Sequence, residues 1–199
     1  MTPGLLIAFE GLDQSGKQTQ AERLRDRLTA MGRTVRLLSF PDYDTAIGAE
    51  IGRALKGERD YGPDVMQLLY VANRYEWKKE IVRATGAGEV VVCDRYLASS
   101  VAYGSAQGLE QAWLLDVQKH LPRPDITFLL DIPPEVSARR KTSDRDKYER
   151  DLALLARVRE SYLALSTSAG WIRLDADQDR DAVSAQVFNA VSALASPRP

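Results

Sequence analysis

The residues with the most chemistry in them come early, in Phe9-Glu10-Gly11-Leu12-Asp13-Gln14-Ser15-Gly16-Lys17-Gln18-Thr19. Two glycines five positions apart with a lysine directly after them form the pattern G-x-x-x-x-G-K. The glycines let backbone N–H groups turn inward around phosphate oxygens, and the lysine brings a mobile cation to the β- and γ-phosphates. The flanks turn this pattern into a mechanism. Leu5 to Phe9 is an unbroken apolar run of the kind buried on both faces of a parallel sheet. After the loop, Ala21, Leu24, Leu28 and Met31 recur at helical spacing, and Gly32 is placed to stop the helix. A helix N-terminus adds its partial positive charge to the cradle. We therefore expect Gly11, Leu12, Asp13, Gln14, Ser15, Gly16, Lys17, Gln18 and Thr19 to hold the phosphates of a nucleotide. The position after the lysine, where a Ser or Thr hydroxyl usually reaches Mg²⁺, is Gln18. Its amide oxygen can ligate a hard cation directly or through water, and Thr19 offers a hydroxyl one residue later.

Three further clusters stand beyond the loop. Asp94-Arg95 follows the run Glu89 to Cys93, where a P-loop enzyme carries the acidic residue that holds Mg²⁺ or its water shell. Arg95 can grip a phosphate with its planar fork. If the segment continues as a helix, Arg95, Ser99 and Tyr103 share one face at i, i+4 and i+8. A long helix is predicted over 61–86, with Pro63 acceptable in its first turn. Val65, Leu68, Leu69 and Ala72 read as its apolar stripe, while Tyr70 and Arg74 present a ring and a planar cation on another face, suited to a base. Finally, Arg139, Arg140, Lys141, Arg145 and Lys147 crowd a stretch with few apolar residues. A solvated charged turn is the plain reading of such a run. Beside a phosphate site the balance shifts to a mobile lid at about 139–147, whose arginines neutralise charge on a transferring phosphoryl group.

The elements that must position these clusters follow from hydropathy. Strand-like runs at 5–9, 34–40, 89–93, 126–132 and 171–174 alternate with helical patterns, which predicts an α/β fold. It has three layers: a mostly parallel sheet of about five strands with helices on both faces. No linker or repeat divides the 199 residues, so one domain over 1–199 is expected. Such a sheet binds ligands beyond the carboxyl ends of its strands. The suggestive residues fall there: Glu10 to Lys17, then Pro41-Asp42-Tyr43, then Asp94-Arg95-Tyr96, then Asp131 with the basic stretch. The 27 Lys and Arg against 28 Asp and Glu give a net charge of -1, which argues against a general nucleic-acid or membrane-surface binder. No apolar run approaches the roughly 18 residues of a membrane span, and no basic region precedes Leu5, so a cytoplasmic protein is expected. Cys93 is the only cysteine and His120 the only histidine, which excludes a disulfide framework and a Cys/His metal set.

Taken in order, these residues resemble the thymidylate (dTMP) kinases of the P-loop nucleoside monophosphate kinase superfamily, over nearly the whole chain. The matching segments are Phe9 to Lys17, Phe40-Pro41, Leu69-Tyr70-Val71-Ala72-Asn73-Arg74, Asp94 to Tyr103, Leu121-Pro122-Arg123-Pro124-Asp125 and Arg145-Asp146-Lys147-Tyr148-Glu149. The Asp-Arg-Tyr…Ser…Ala-Tyr block with Phe-Pro is the specific part. The resemblance implies a P-loop NTPase-type fold and transfer of the ATP γ-phosphoryl to dTMP with Mg²⁺, in a homodimer. It gives Lys17 and the loop amides the donor phosphates, Asp94 the metal, Arg95 the acceptor phosphate and Asp13 the acceptor sugar. The base stacks on Tyr70 with Arg74 reaching a carbonyl, Tyr103 crowds the 2′ side of the sugar, and Ser99 and Ser100 line the pocket with Phe40, Pro41 and Tyr43. Gln14 stands where some members have a P-loop arginine, which implies that the lid arginines Arg139, Arg140 and Arg145 do that work. Tyr43 stands where others have a phosphate-gripping arginine. The competing readings are another pyrimidine or deoxynucleoside (mono)phosphate kinase, and a P-loop regulatory ATPase with no small-molecule acceptor.

Overall fold

The computed structural model describes residues 4–140 and 151–195. Its first strand, β1 (Leu5–Glu10), is buried at every position. A strand with no polar face must lie inside a sheet covered on both sides, and β1 is the central one. It pairs in parallel with β3 (Val90–Asp94) through Leu5↔Val90 to Phe9↔Asp94, and with β4 (Ile126–Asp131) through Ile7↔Ile126 to Glu10↔Leu129. β2 (Val35–Ser39) and β5 (Trp171–Asp175) flank them, giving five parallel strands in the order β2-β3-β1-β4-β5. Each predicted strand is present within one or two residues of its expected ends.

The two-residue period of the strands sorts the core. Leu5, Ile7 and Phe9 of β1 join Val90, Val92 and Phe128 in the larger cluster, with Leu24 and Leu28 of α1 (Lys17–Ala30). Phe9 stacks on Phe128 there at 5.2 Å between ring centres. Leu6 and Ala8 face the other way, with Val91, Cys93, Phe40, Tyr96 and Ile81. Cys93 is buried there, and burial pushes its thiol well above the ordinary range. α2 (Ala46–Leu55) starts on Thr45, whose hydroxyl accepts the Gly48 amide. α4 (Leu97–Ala106), α5 (Gln111–Asp116), α6 (Pro134–Arg140), α7 (Leu152–Leu165) and α8 (Arg180–Ala195) complete the order.

The long helix α3 (Pro63–Gly86) corrects one expectation. Of the stripe read from sequence, Val65 and Leu68 are exposed at 39% and 45% while Leu69 and Ala72 are half-buried, and the fully buried apolar residues of the helix are Met66, Val71, Ile81 and Ala84. The reason is that α3 carries apolar residues at helical spacing on two faces, and periodicity alone cannot say which face meets the sheet. Asp131 is also redirected: it ends β4, buried, with its two oxygens held by Arg159 (2.7 Å) and Arg173 (2.7 Å). It ties α7 to β5 rather than facing the crevice. His120 is exposed.

Candidate active site

The loop between β1 and α1 is shaped by its glycines. Gly11 takes φ +138°, and a Cβ there would sit 2.4 Å from the Leu130 carbonyl oxygen of β4, so no other residue fits. Gly16 caps α1 at φ +92° with no side-chain acceptor for the first-turn amides. Those amides therefore face the loop, together with the Ser15 hydroxyl, which is buried with no hydrogen-bond partner among the described residues. Lys17 is 6% exposed, and its ammonium donates to the Leu12 carbonyl at 2.7 Å. Burial, reinforced by the Arg95 charge, lowers the Lys17 ammonium to about 8 against the raising influence of Asp13, Asp94 and Glu10. The charged form attracts phosphate, and it is lost as pH rises through 8. The ATP kcat/KM, which reports the free enzyme, is therefore expected to be flat below pH 8 with respect to this group and to fall toward tenfold per unit above it. An ATP profile that stays level to pH 10 would contradict this.

Beside the loop, Asp94 ends β3, and its Oδ1 is buried without a hydrogen-bond partner among the described residues. Arg95 follows in a left-handed conformation at φ +63°, its amide donating to the Phe9 carbonyl at 2.9 Å. That turn throws its guanidinium across the P-loop. It donates to the Gly11 carbonyl (3.2 Å), Ser99 Oγ (3.2 Å) and Asp13 Oδ1 (2.5 Å), and lies 5.3 Å from the centre of the Tyr103 ring. The expected trio of Arg95, Ser99 and Tyr103 does converge, although α4 begins only at Leu97. Asp13 also accepts from the Tyr103 hydroxyl at 3.2 Å. Burial alone would raise the Asp13 carboxyl, but Arg95 and Lys17 hold it at about 2. It is thus a fixed anion between the two basic groups.

Glu10, read only as part of the motif, has a larger part. Its Oε1 accepts the amides of Tyr96 (2.9 Å), Ala98 (3.2 Å) and Ser99 (3.3 Å), and its Oε2 accepts from Ser99 Oγ (2.6 Å) and the Tyr162 hydroxyl (3.1 Å). A buried carboxylate from β1 caps α4, whose own N-cap residue, Tyr96, offers no side-chain bond. In this way β1 fixes the helix that carries Ser99, Ser100 and Tyr103.

Asp13, Phe40, Pro41, Tyr43, Tyr70, Arg74, Arg95, Ser99, Ser100 and Tyr103, the ten acceptor-side residues of the sequence reading, all line one cavity. Leu55 and Gln67 line it too and were missed. The Pro41–Asp42 turn is held to α3 by Asn73, which accepts the Asp42 amide (2.8 Å) and donates to its carbonyl (3.2 Å). Tyr43, at the rim, is 51% exposed. Arg74 is 3% exposed and donates to Ser100 Oγ at 2.7 Å, while its Nε is buried with no partner among the described residues. Burial lowers its guanidinium below the ordinary value, with Glu10 the leading countercharge.

Two expected site residues are placed differently. Gln18 is exposed, and its amide donates to Glu22 one turn along α1 at 2.9 Å, a local bond between neighbouring polar side chains. Of the lid arginines, Arg139 is exposed, and Arg140 donates to the Gln14 carbonyl (3.1 Å) and pairs with Asp177 (2.9 Å). Arg145, like the rest of the lid from residue 141, lies outside the described residues.

Comparison with known proteins agrees with this geometry. A family profile described as Thymidylate kinase matches residues 9–187. Thymidylate kinases from Schizosaccharomyces pombe and Caenorhabditis elegans are each 34% identical to the chain, covering 95% and 98% of it and 92% and 94% of their own lengths. A solved thymidylate kinase structure from Candida albicans superposes with a TM-score of 0.86 at 30% identity, over 96% of this chain and 92% of that one. By this profile and these relatives, the chain belongs to the thymidylate kinase family, phosphotransferases that act on nucleoside monophosphates.

Proposed function

We propose that the chain transfers the γ-phosphoryl group of ATP to dTMP, giving dTDP and ADP on the way to dTTP, as one kinase domain over residues 1–199 in the cytoplasm. The observation that carries this reading is the cavity itself. It opens beside the phosphate cradle and is lined by the buried Arg74, read as its base end, and the half-buried Arg95, read as its phosphate end. The amides of Gly11 to Thr19 and Lys17 hold the donor phosphates, and Arg95 draws the acceptor phosphate against them. Phosphoryl transfer then needs positioning and charge stabilisation more than covalent chemistry. Tyr70 stacks on the base and Arg74 donates to a carbonyl oxygen of it. Arg139, Arg140 and Arg145 add charge from the lid. Formation of dTDP from ATP and dTMP, followed by chromatography, tests the reading; ATP hydrolysis without dTDP would favour the regulatory ATPase instead.

Mg²⁺ fits the residues present. It takes one or two carboxylates and leaves its other positions to water and phosphate, and Asp94, beside the loop, offers a buried Oδ1 unpaired among the described residues. Asp94 would hold the ion, directly or through water, with Gln18 contributing only if its side chain turns away from Glu22. The ion supplies charge neutralisation at the transferring phosphates.

The homodimer rests on α3. Val65, Leu68 and Val82 are 39%, 45% and 54% exposed along this helix, apolar side chains that a second copy would cover. A monomeric mass by light scattering would refute it.

Tyr103 is expected to set the sugar preference. Its hydroxyl is fixed to Asp13 and its ring lies beneath Arg95, so a 2′-hydroxyl meets a held ring. Tyr103→Phe should keep the preference for dTMP over its ribonucleotide counterpart, and Tyr103→Ala should reduce it by roughly tenfold or more. Equal preference in wild type and Tyr103→Ala would show that the ring has no such role.

A further inference from the structure

Gln67 is buried on α3 beside the base-facing residues. It lies on α3 three residues before Tyr70 and seven before Arg74, so the three side chains stand along one face of the helix at i, i+3 and i+7. All three line the acceptor cavity. Gln67 is 1% exposed, and its Oε1 has no hydrogen-bond partner among the described residues. Its stem packs closely on α4: a Cβ on Gly104 would lie 3.3 Å from Gln67 Cγ. A buried amide oxygen left without a donor is costly unless a ligand supplies one.

We propose that Gln67 is a specificity-determining residue that accepts a hydrogen bond from the ring N–H of the acceptor base, beside the carbonyl that Arg74 addresses. This rests on the dTMP-kinase reading of the cavity. The pair then presents a donor, Arg74, next to an acceptor, Gln67. A thymine or uracil ring offers the complement, a carbonyl oxygen next to a ring N–H. Cytosine offers the inverse, an amino group next to an unprotonated ring nitrogen. Arg74 has only donors and cannot turn to suit it. The Arg74–Ser100 bond at 2.7 Å keeps the guanidinium in place, and its Nε has no partner among the described residues.

The test is the ratio of kcat/KM for dTMP to that for dCMP, measured for wild type and for Gln67→Met, which keeps the length of the side chain and removes the acceptor. A ratio cancels any loss of correctly folded enzyme. In the wild type the ratio should be large, and in Gln67→Met it should fall about 10- to 100-fold, mostly through loss of dTMP turnover. A second arm uses a dTMP methylated on the ring nitrogen. Wild type should reject it, and Gln67→Ala, which removes both the acceptor and the bulk, should narrow its disadvantage against dTMP by tenfold or more. An unchanged dTMP to dCMP ratio in Gln67→Met overturns the proposal while leaving the kinase reading standing. Failure of the wild type to phosphorylate dTMP overturns both.

Discussion

Lys17→Ala is expected to lower kcat by about 10²- to 10³-fold, some 3–4 kcal/mol of transition-state stabilisation. The argument is electrostatic. Lys17 is 6% exposed, in a loop whose other donors are all uncharged. A mobile cation in so dry a site acts on charge that develops at the transferring phosphoryl group, with little solvent to screen it. Nothing else in the P-loop is cationic, because Gln14 stands where some members of the family carry an arginine. The fold should survive: the Leu12 carbonyl that loses the ammonium still accepts the Ser15 amide at 3.3 Å. Single-turnover dTDP formation, set beside a thermal melt, separates the two effects. Near-normal turnover by the variant would remove the kinase reading.

Arg95→Ala should cost as much, about 10³-fold in kcat/KM for dTMP, with ATP binding less affected. Truncating one member of a buried, hydrogen-bonded charge pair costs on the order of 2–5 kcal/mol, part of it from the partner left behind. Here the partner is Asp13, whose carboxyl is held at about 2 by Arg95 and Lys17. With the guanidinium gone, the Asp13 carboxyl should rise, and the Tyr103 hydroxyl that it accepts loses its fixed orientation. Arg95→Lys should recover only part of the loss. A single ammonium cannot reach Gly11, Ser99 and Asp13 at once, as the planar fork does. Steady-state kinetics with dTMP varied at saturating ATP, then the reverse, give the split. An effect confined to the KM of ATP would place Arg95 on the donor side.

How much of this was legible in the sequence depends on how local each signal is. The P-loop could be read because its glycines, its lysine and the strand and helix around it lie within one short stretch. The Asp94-Arg95 turn could be read because β3 is an unbroken apolar run that stops at an acid. Helical spacing put Arg95, Ser99 and Tyr103 on one face and Tyr70 with Arg74 on another, resemblance added Asp13, Phe40, Pro41, Tyr43 and Ser100, and the geometry gathers all ten positions. What could not be read is what depends on packing between distant segments. The Glu10 cap on α4 joins residues 86 to 89 positions apart, and no period or motif encodes it. The buried face of α3 was misassigned because two faces carry apolar residues at helical spacing. The same misassignment hid Gln67, since a glutamine was not sought among core positions. Its place one turn before Tyr70 was the available signal. The lid beyond Arg140 lies outside the described residues, so the decisive arginine there is a matter for kinetics.

The central claim is that the cavity between Arg74 and Arg95 selects a thymine deoxynucleotide as phosphoryl acceptor. Its most direct measurement is ADP release from ATP in the presence of dTMP, dUMP, dCMP, UMP and CMP, each carried to a kcat/KM. The account predicts activity in the order dTMP, dUMP, then dCMP and UMP, with the rate in the absence of any monophosphate far below all that are turned over. Phosphorylation of UMP or CMP as efficient as that of dTMP would contradict it and mark the chain as a broader pyrimidine monophosphate kinase.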